Sequence, residues 1–316
     1  MTDPQHFAFV LVEDHTHLAL ANAIEPLRIA NLVSGKTLYR WSLISENGET
    51  ARASNGTVTL VDQGFDHIPD CARLFVLSGI DVRKHSTRPL LAYLRKARAM
   101  GRPLGALCSG SYTMARAGLL DGMRAAIHWD FHDAFLEEFP DVALVRSVFV
   151  DDEPVVTASG GSATADLMLA LIARSHSEDL SIEVADQMVY NTVRDSSAEQ
   201  RVSVQARTGQ RSPKLTQAVA IMRNSIEHPP SVAEIAAEVG LSTRQLERLF
   251  GKYLNSSPRK YLLELRLDRA RRLLLQTEMS VVEVALACGF ENPGHFSRVY
   301  RATFRESPSR QRSRVS

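Results

Sequence analysis

Cysteine is scarce in this sequence, with three residues in 316, and the placement of the three excludes two classes of protein. Cys71, Cys108 and Cys288 are odd in number and widely separated, so they do not form the framework of a small disulfide-rich protein. The sequence has no C-x-x-C pair and no histidine-rich spacing, the patterns that mark structural metal sites. We therefore predict reduced thiols, no bound metal and no cofactor.

Long hydrophobic runs are missing as well. The sequence contains no apolar stretch of about 18 residues, the minimum for a membrane-spanning helix. The amino terminus does not show the basic and then apolar layout of a signal peptide, so we expect a cytoplasmic protein without a membrane partner. Apolar residues make up an ordinary 44% of the chain, and a length of 316 residues allows two domains.

What the sequence does contain is a segment of roughly fifty residues that occurs twice. SVAEIAAEVGL, from Ser231, aligns with SVVEVALACGF, from Ser280. Further on, LERLFGKYLNSSP aligns with FSRVYRATFRESP, with one extra residue in the second copy. Each copy begins with the S-x-x-E pattern of a capped helix, and its glycine, Gly240 or Gly289, allows a tight turn into a second helix.

The second helix of each copy has a basic outer face. In the first copy, Leu246 and Phe250 form an inward apolar stripe that leaves the opposite side exposed. A helix-turn-helix with such a face fits the major groove of DNA, where arginine reads guanine edges and small polar groups hold phosphates. The candidate base readers are Arg244, Arg248, His295 and Arg298, and the candidate phosphate or cap groups are Ser242, Thr243, Lys252, Asn292 and Arg301. Gln245 and Ser297 complete this surface; the alternative for each arginine is a solvated surface charge.

A helix between the copies can hold them at a fixed separation. Residues Pro258 to Gln276 are expected to form one helix of about 25 to 30 Å, which places two reading helices roughly one DNA turn apart. From Gly209 onward, 18 basic residues face 10 acidic ones, a net charge of +8, whereas the preceding 208 residues carry 19 and 26, a net charge of −7. An ordinary all-helical core is the alternative, but it does not require matching caps and basic faces in both copies.

These motifs together resemble the AraC-type DNA-binding domain, in which two helix-turn-helix units flank a connecting helix. The resemblance runs from about Lys214 to Arg312 and is carried by LSTRQLERLF, RLDRARRLL and VALACGFENPGHFSRVYRATFRESP. It implies an all-α domain over residues 213–316 that binds double-stranded promoter DNA. The polar stretch of residues 196–212 has no periodicity and is expected to be the linker before this domain.

The sequence pattern of residues 1–195 predicts strands that alternate with helices. Short apolar runs such as His6–Asp14 and Pro103–Cys108 are typical of buried parallel strands. Because helical patterns separate such runs, we expect a mostly parallel sheet covered on both faces, a three-layer α/β sandwich. Further strands are expected over Ala125–His128 and Val142–Val150, and a helix over Leu180–Arg194 that offers a contact surface for a dimer.

The turn Ala106–Gly110 follows an apolar strand and precedes a helical stretch. Small residues around a cysteine at such a turn permit the strained elbow that lifts a nucleophile above a sheet. Cys108 occupies that position, and His128 lies twenty residues downstream, followed by Trp129. Three roles stay open for the turn: a catalytic site, an effector pocket or an inherited structural turn. His128 can equally be a buried core histidine.

This arrangement is similar to the PfpI and class I glutamine amidotransferase-like superfamily, in which a cysteine occupies the elbow after a central strand. Joined to an AraC-type domain, it has the layout of the GlxA-type transcription regulators. Within these, QLERLFGKYL and YLLELRLDRAR resemble the regulators of arginine, glycine betaine and carnitine catabolism. The resemblance implies a flavodoxin-like first domain that senses a metabolite and forms a homodimer. It implies no enzymatic activity: Cys108 and His128 would be vestiges, with Glu13 and Glu25 as the candidate acidic partners of the thiol.

The effector pocket is expected beyond the carboxyl ends of the strands, where open α/β sheets bind their ligands. Acidic groups or an aromatic face there can hold an amine or amino-acid-like effector. The candidate residues are Glu13, Asp14, Cys108, Ser109, His128, Trp129, Ser159 and Gly160. We expect a metabolite-responsive activator that works with RNA polymerase. The alternative is a cysteine-dependent hydrolase or amidase with an appended DNA-binding domain.

Overall fold

The structure is a computed structural model that describes residues 3–200 and 212–313, and the chain divides into two compact units after Gln200. Most of the predicted linker, residues 201–211, lies outside the described residues. Within the described residues, no helix is both long enough and apolar enough to cross a bilayer.

The first unit is built from alternating strands and helices. Its strands are β1 (Gln5–Leu11), β2 (Tyr39–Ile44), β3 (Thr50–Arg52), β4 (Val58–Leu60), β5 (Arg73–Leu77), β6 (Leu104–Leu107), β7 (Arg124–Ala125), β8 (Ala143–Leu144), β9 (Phe149–Asp152) and β10 (Val155–Ala158). Its helices are α1 (His17–Ser34), α2 (Val82–His85), α3 (Arg88–Ala99), α4 (Gly110–Arg116), α5 (His132–Glu138), α6 (Ala163–Ser175) and α7 (Glu178–Gln187).

The main sheet has the strand order β2-β1-β5-β6-β10-β9. Every neighbouring pair is parallel except β10 with β9, so the antiparallel strand lies at one edge. Helices α1, α6 and α7 pack on one face, and α3, α4 and α5 pack on the other. Strands β5, β6 and β10 are buried along their whole length because both faces are covered. The predicted three-layer α/β sandwich is confirmed.

Two predicted strands are largely wrong. Of Ala125–His128, only Ala125 belongs to a strand, the two-residue β7, because the chain then turns into a short 3₁₀ helix over Trp129–Phe131. Val142–Val150 is not one strand: β8 pairs with β7 in a small separate sheet, and β9 joins the main sheet. Apolar residues at both places are buried in loops, where burial alone does not indicate a strand.

The predicted helix over Leu180–Arg194 is also wrong in its second half. Helix α7 ends at Gln187, and Val189 has a left-handed backbone with φ 54°. The chain then turns back, so that Tyr190 and Arg194 reach the buried Asp166 in α6. A tertiary contact therefore sets the end of this helix.

The second unit is entirely helical within residues 212–313. Its helices are α8 (Pro213–Asn224), α9 (Val232–Glu238), α10 (Thr243–Leu254), α11 (Pro258–Gln276), α12 (Val281–Ala287), α13 (Pro293–Phe304) and α14 (Pro308–Arg312). The first copy of the repeat is the pair α9 and α10, and the second copy is the pair α12 and α13. The long helix α11 has the predicted bounds.

Each copy has its own hydrophobic core, and α11 contributes to both. Its amino-terminal half supplies Tyr261 and Leu265 to the first core. Its carboxyl-terminal half supplies Leu267, Ala270 and Leu274 to the second. One rigid helix thus carries two helix-turn-helix units, as the sequence predicts.

The helix starts and turns of the repeat are confirmed in both copies. Ser231 and Glu234 form a capping box, as do Ser280 and Glu283, in which each serine side chain accepts from the glutamate amide and each glutamate accepts from the serine amide. The two turn glycines have left-handed backbones, with φ 65° and 73°. The repeat in the sequence is therefore a repeat in the structure.

Candidate DNA-binding surface and effector site

The second helix of the first copy, α10, separates its apolar and basic sides. Leu246 and Phe250 are completely buried. Arg244, Arg248 and Lys252 lie on the exposed side, and none of the three has an ion-pair partner in the described part of the chain. Their charges are available to a phosphate or a base edge.

Helix α13 repeats this arrangement in the second copy. Phe296 and Tyr300 are completely buried, whereas His295, Arg298 and Arg301 are exposed. Neither arginine forms a salt bridge to another described residue. Ser297, also proposed for DNA contact, is half-buried beside Arg298.

Three of the proposed polar contacts also hold the starts of these helices. Ser242 Oγ accepts from the Gln245 amide at 3.3 Å, and Gln245 Oε1 accepts from the Ser242 amide at 2.9 Å. Asn292 Oδ1 accepts from the His295 amide at 3.0 Å. These side chains cap the starts of α10 and α13. The caps thereby set where each helix begins and which way its basic face points. Thr243, in the first turn of α10, is exposed beside this cap.

The cysteine elbow lies between β6 and α4. Cys108 has a left-handed backbone with φ 61°, which is unfavourable for a residue with a side chain. Its amide donates to Ala158 O at 2.9 Å, and its Sγ shares a hydrogen bond with Thr16 Oγ1 at 3.3 Å. The residue is 5% exposed, and this burial raises the pKa of the thiol above its ordinary value. Cys108 therefore has the backbone of a nucleophile elbow but a protonated, covered thiol.

The loop after β10 closes over the elbow. Gly160 lies so close that a Cβ on it would be 2.7 Å from Cys108 Cβ, so only glycine fits there. Asn22 of α1 donates to Gly161 O at 3.0 Å and holds the same loop from outside. Ser109 and Ser159 are buried beside it, and Ser109 Oγ donates to Gly79 O at 2.7 Å.

His128 approaches the elbow through its backbone. Its amide donates to Cys108 O at 3.4 Å, while its Nδ1 accepts from the Asp130 amide at 3.3 Å. Burial lowers the pKa of His128 below its ordinary value, which favours the neutral imidazole. Trp129 beside it is 40% exposed. His128 thus starts the 3₁₀ helix and is not hydrogen-bonded to the thiol in the described structure.

Neither candidate acidic partner contacts the thiol. Glu25 is half-exposed and forms a salt bridge with Arg28 at 2.6 Å. Glu13 Oε1 accepts from the Arg52 amide at 3.4 Å, and Asp14 Oδ2 pairs with His85 Nε2 at 3.1 Å. Glu13 and Asp14 therefore lie at the end of β1 toward α2, whereas Cys108, Ser109 and Ser159 form a buried group beside Gly160. Among the described residues, no cluster of three or more His, Cys, Asp and Glu is suited to a metal ion.

The segment that leaves the first unit, residues 188–200, is attached to the loop above the elbow. We call it the exit segment. Asp166, which is completely buried, accepts from Tyr190 Oη at 3.0 Å and from Arg194 Nε at 2.9 Å. Arg194 Nη2 also donates to Ser162 Oγ at 2.8 Å, next to the Gly160 loop. One end of the exit segment is thus held where the loop enters α6.

The other end of the exit segment is attached beside His128. Gln200 Nε2 donates to Ile127 O at 2.9 Å and to Ser147 O at 3.1 Å. Ala198 O accepts from the Val148 amide at 2.8 Å, so this hydrogen bond attaches the exit segment to the loop before β9. The exit segment therefore contacts both loops that border Cys108.

Thr16, Asn22, Asp166 and Arg194 were not among the residues identified from the sequence. Asp166 had a usable signal, because a single carboxylate in the apolar run ATADLMLAL predicts a buried charge with a partner. Thr16 and Asn22 had none, since their contacts join distant parts of the chain.

Comparison with known proteins accounts for both units. Residues 10–174 match the model of the DJ-1/PfpI family, and residues 235–314 match the model of a helix-turn-helix domain. The crystal structure of an AraC family transcriptional regulator from Pseudomonas putida covers 58% of this chain and 100% of its own, with a TM-score of 0.53 and 23% identity. That similarity concerns the fold.

Two relatives match over nearly the full length. The chain is 43% identical to the HTH-type transcriptional regulator GbdR of Pseudomonas aeruginosa over 310 residues, which are 98% of this chain and 84% of GbdR. It is 33% identical to the HTH-type transcriptional regulator GlxA of Rhizobium meliloti, over 98% of this chain and 96% of GlxA. Both domains and both full-length matches agree: the chain belongs to the GlxA-type regulators of the AraC family, in which a DJ-1/PfpI domain precedes an AraC-type helix-turn-helix domain, and it is a DNA-binding transcription regulator.

Proposed function

We propose that this regulator senses a small amine or amino-acid-like effector through its first unit and activates catabolic genes in response. The resemblance to regulators of arginine, glycine betaine and carnitine catabolism suggests the effector class. Burial raises the pKa of the Cys108 thiol and so disfavours the thiolate, which supports a receptor over an enzyme because a cysteine nucleophile acts as the thiolate. The candidate effector residues at the strand ends fall into two groups: Glu13 and Asp14 at the end of β1, and, around the elbow, Cys108, Ser109, His128, Trp129, Ser159 and Gly160.

The observation that carries the proposal is the attachment of the exit segment to both loops around Cys108. Arg194 and Tyr190 hold it to α6, and Gln200 holds it beside Ile127. A ligand that moves either loop changes these contacts and therefore the start of the linker. It can shift the regulator only if it binds the active arrangement more tightly than the inactive one.

Further parts of the proposal concern assembly. Residues 1–195 pair two chains, residues 196–212 link the domains, and residues 213–316 bind promoter DNA in the cytoplasm. The homodimer presents four helix-turn-helix units and recruits or contacts RNA polymerase. Arg244, Arg248, His295 and Arg298 read bases, and the exposed Thr243, Lys252 and Arg301 hold phosphates. The exposed arginines and Lys252 have no ion-pair partner among the described residues, which supports these roles.

The experiment starts from the DNA that the purified full-length protein retains from fragmented genomic DNA. Sequencing that DNA identifies the operator, and binding to it is then titrated with and without arginine, glycine betaine or carnitine. We expect at least one of these compounds to change operator affinity or transcription from the promoter. A regulator that binds its operator but responds to none of them would contradict the proposed effector class.

The exit segment gives a second test. In Arg194→Ala the effector should still bind, but transcription should no longer respond to it. Breaking one partner of a buried ion pair costs about 3 to 5 kcal/mol, so unfolding is measured in parallel, with the charge-free D166N/R194Q double variant for comparison. Arg40→Ala, on an exposed part of β2, is the control. An unchanged response in both Arg194 variants would remove the exit segment from the mechanism.

A cysteine-dependent hydrolase is the alternative that the strained backbone of Cys108 favours. Alkylation of Cys108 separates the two functions, with Cys71 and Cys288 replaced by alanine beforehand. Loss of a measurable turnover on alkylation would indicate the enzyme. An altered effector response without any turnover is the result we expect.

A further inference from the structure

A cavity of about 290 Å³ lies beside the carboxyl ends of β1 and β2. We call it the Glu13 cavity. Its volume is at the lower end of the range for small-molecule sites, roughly 300 to 1,000 Å³, and suits a ligand of amino-acid size. Cys108 and Gly160 are not among its lining residues, so it is separate from the elbow. Its position is the edge of the sheet at which open α/β folds bind ligands.

The lining of the Glu13 cavity is acidic. Glu13 and Glu46 line it, and its basic lining residue, His85, pairs with Asp14 at 3.1 Å. In the described part of the chain neither carboxylate has a salt-bridge partner. Glu46 Oε2 accepts from Thr87 Oγ1 at 2.6 Å, which holds this carboxylate in place and leaves its second oxygen available. The cavity therefore favours a cationic group over an anionic or uncharged one at the two carboxylates.

The floor of the Glu13 cavity is apolar. Leu11, Val12 and Leu90 are buried lining residues, exposed by 5% or less. Phe65 also lines the cavity, and its ring stacks on Tyr93 with centroids 4.6 Å apart. A stacked ring is held in one orientation, and an aromatic face attracts ammonium and guanidinium groups. The floor thus fits a hydrocarbon body that carries a cationic head.

One lining side chain offers a donor as well. Asn47 Oδ1 accepts from Ser45 Oγ and from the amides of Glu49 and Thr50, at 2.8 to 2.9 Å. These bonds fix the orientation of the side-chain amide. Its Nδ2 has no partner among the described residues and can donate to an oxygen of the ligand.

We propose that the Glu13 cavity binds a small organic cation, an alkylammonium or guanidinium compound, between the carboxylates of Glu13 and Glu46 and over the Phe65 ring. The inference rests on the proposed amine response of the regulator and places its ligand at the first of the two residue groups, the one that contains Glu13. Thr16, three residues further along the chain, connects this group to the elbow, because its Oγ1 shares a hydrogen bond with Cys108 Sγ. The cationic head of the ligand would lie at the two carboxylates, and its hydrocarbon part on the apolar floor.

Calorimetric titration of the full-length protein with L-arginine, glycine betaine and L-carnitine tests the inference, with L-glutamate as the anionic probe. We expect at least one of these three compounds, called cationic probes here for their guanidinium or quaternary ammonium heads, to bind and glutamate, which has a net negative charge, not to bind. Glu13→Gln and Glu46→Gln should each raise the Kd of that probe up to about fivefold, the effect of one charge on an exposed carboxylate. Phe65→Leu should raise it about threefold. Glu49→Gln neutralises an exposed carboxylate on the same turn that does not line the cavity, and it should leave the Kd unchanged.

The outcomes distinguish a wrong cavity assignment from a wrong effector class. If a cationic probe binds equally well to E13Q, E46Q and wild type but loses affinity in Gly160→Ala, the cavity assignment is wrong and the amine response stands. If no cationic probe binds the wild type, both the assignment and the proposed effector class are wrong. Equal binding of glutamate would overturn the charge argument. In both variants the glutamine side chain has nearly the same shape as the glutamate it replaces. Thermal unfolding of each variant checks that it is folded. Each variant tests the cavity independently of the other.

Discussion

The two helix-turn-helix copies are built alike and supported differently. In both, a capping box starts the first helix, a left-handed glycine makes the turn, and a polar side chain caps the second helix. Around the turn the copies diverge. A Cβ on Gly240 of the first copy would meet only the end of one flexible side chain, Lys214 Nζ at 3.4 Å, which donates to Gly240 O at 2.8 Å. Gly289 of the second copy is enclosed, with Glu227 O at 2.5 Å from the same position.

The enclosure of Gly289 belongs to a joint between the copies. Arg266 of α11 donates from Nε to Ile226 O at 3.1 Å, in the loop between α8 and the first helix of the first copy. The same guanidinium lies over the Phe290 ring of the second copy, 5.8 Å from its centroid. A repeated sequence thus produces the same local geometry twice, whereas different contacts from outside the repeat surround the two turns. We infer that backbone encloses the turn of the second copy, and that the turn of the first is held by the end of one lysine side chain.

Alanine at the two turn glycines should break this symmetry most strongly. Gly240→Ala places a side chain on a left-handed backbone, at a cost of about 1 to 2 kcal/mol. Gly289→Ala has the same strain and must also displace the carbonyls of Ile226 and Glu227, so we expect a total of about 3 kcal/mol or more. Hydrogen exchange of the full chain, read separately over α9–α10 and α12–α13, measures both. Equal losses of stability in the two copies would show that the contacts of Arg266, Ile226 and Glu227 do not support the turn of the second copy.

The equivalent arginines Arg248 and Arg298 test whether both copies read DNA. Each alanine variant should lose about 1 to 3 kcal/mol of operator binding and relax the preference at one base position. The two affected positions should lie about one helical turn apart, because α11 sets the spacing. Binding selections from randomised operators provide the measurement, with Arg40→Ala as the control. A uniform loss across all sequences, with a reduced salt slope, would instead identify phosphate contacts.

Removing the Arg266 contacts should change the spacing of the two copies more than the stability of either copy. Arg266→Ala loses one hydrogen bond and one cation–aromatic contact, together about 1 to 2 kcal/mol. We expect its affinity for a full operator to fall several-fold, and its affinity for a fragment with one half of the operator to change little. Arg266→Lys keeps the charge without the planar fork and should be intermediate. If both DNA fragments respond equally to Arg266→Ala, the joint has no role in spacing.

The second unit was predictable because its signals are local. Ser231 and Glu234 are three residues apart, and so are the members of the second capping box, so neighbouring side chains alone determine each helix start. The bounds Pro258–Gln276 were correct for the same reason, with a serine cap and a proline at the first turn. What the repeat could not indicate is Arg266, whose partners lie 40 and 24 residues away.

The first unit was predictable in its layers and less so in its site. Buried strands are apolar runs whatever surrounds them, so the sandwich follows from the pattern. The end of α7 at Gln187 depends instead on Asp166, and the partner of Cys108 is Thr16, 92 residues away. Such contacts leave no periodicity in the sequence. The elbow was correctly located, but the covering of its thiol by Gly160 was not foreseen.

The smallest difference between the copies lies at the end of their second helices. Both end in a left-handed residue, which is Asn255 with φ 48° in the first copy and Arg305 with φ 59° in the second. Asparagine tolerates this conformation better than arginine, so Arg305→Asn should stabilise the second copy by about 0.5 to 1 kcal/mol, and Asn255→Arg should destabilise the first by a similar amount. Hydrogen exchange measures the stability of each copy. It is done without DNA, because the substitutions also change the charge and would alter binding to phosphates. If the two reciprocal changes shift stability in the same direction, side-chain charge and not backbone conformation controls these helix ends.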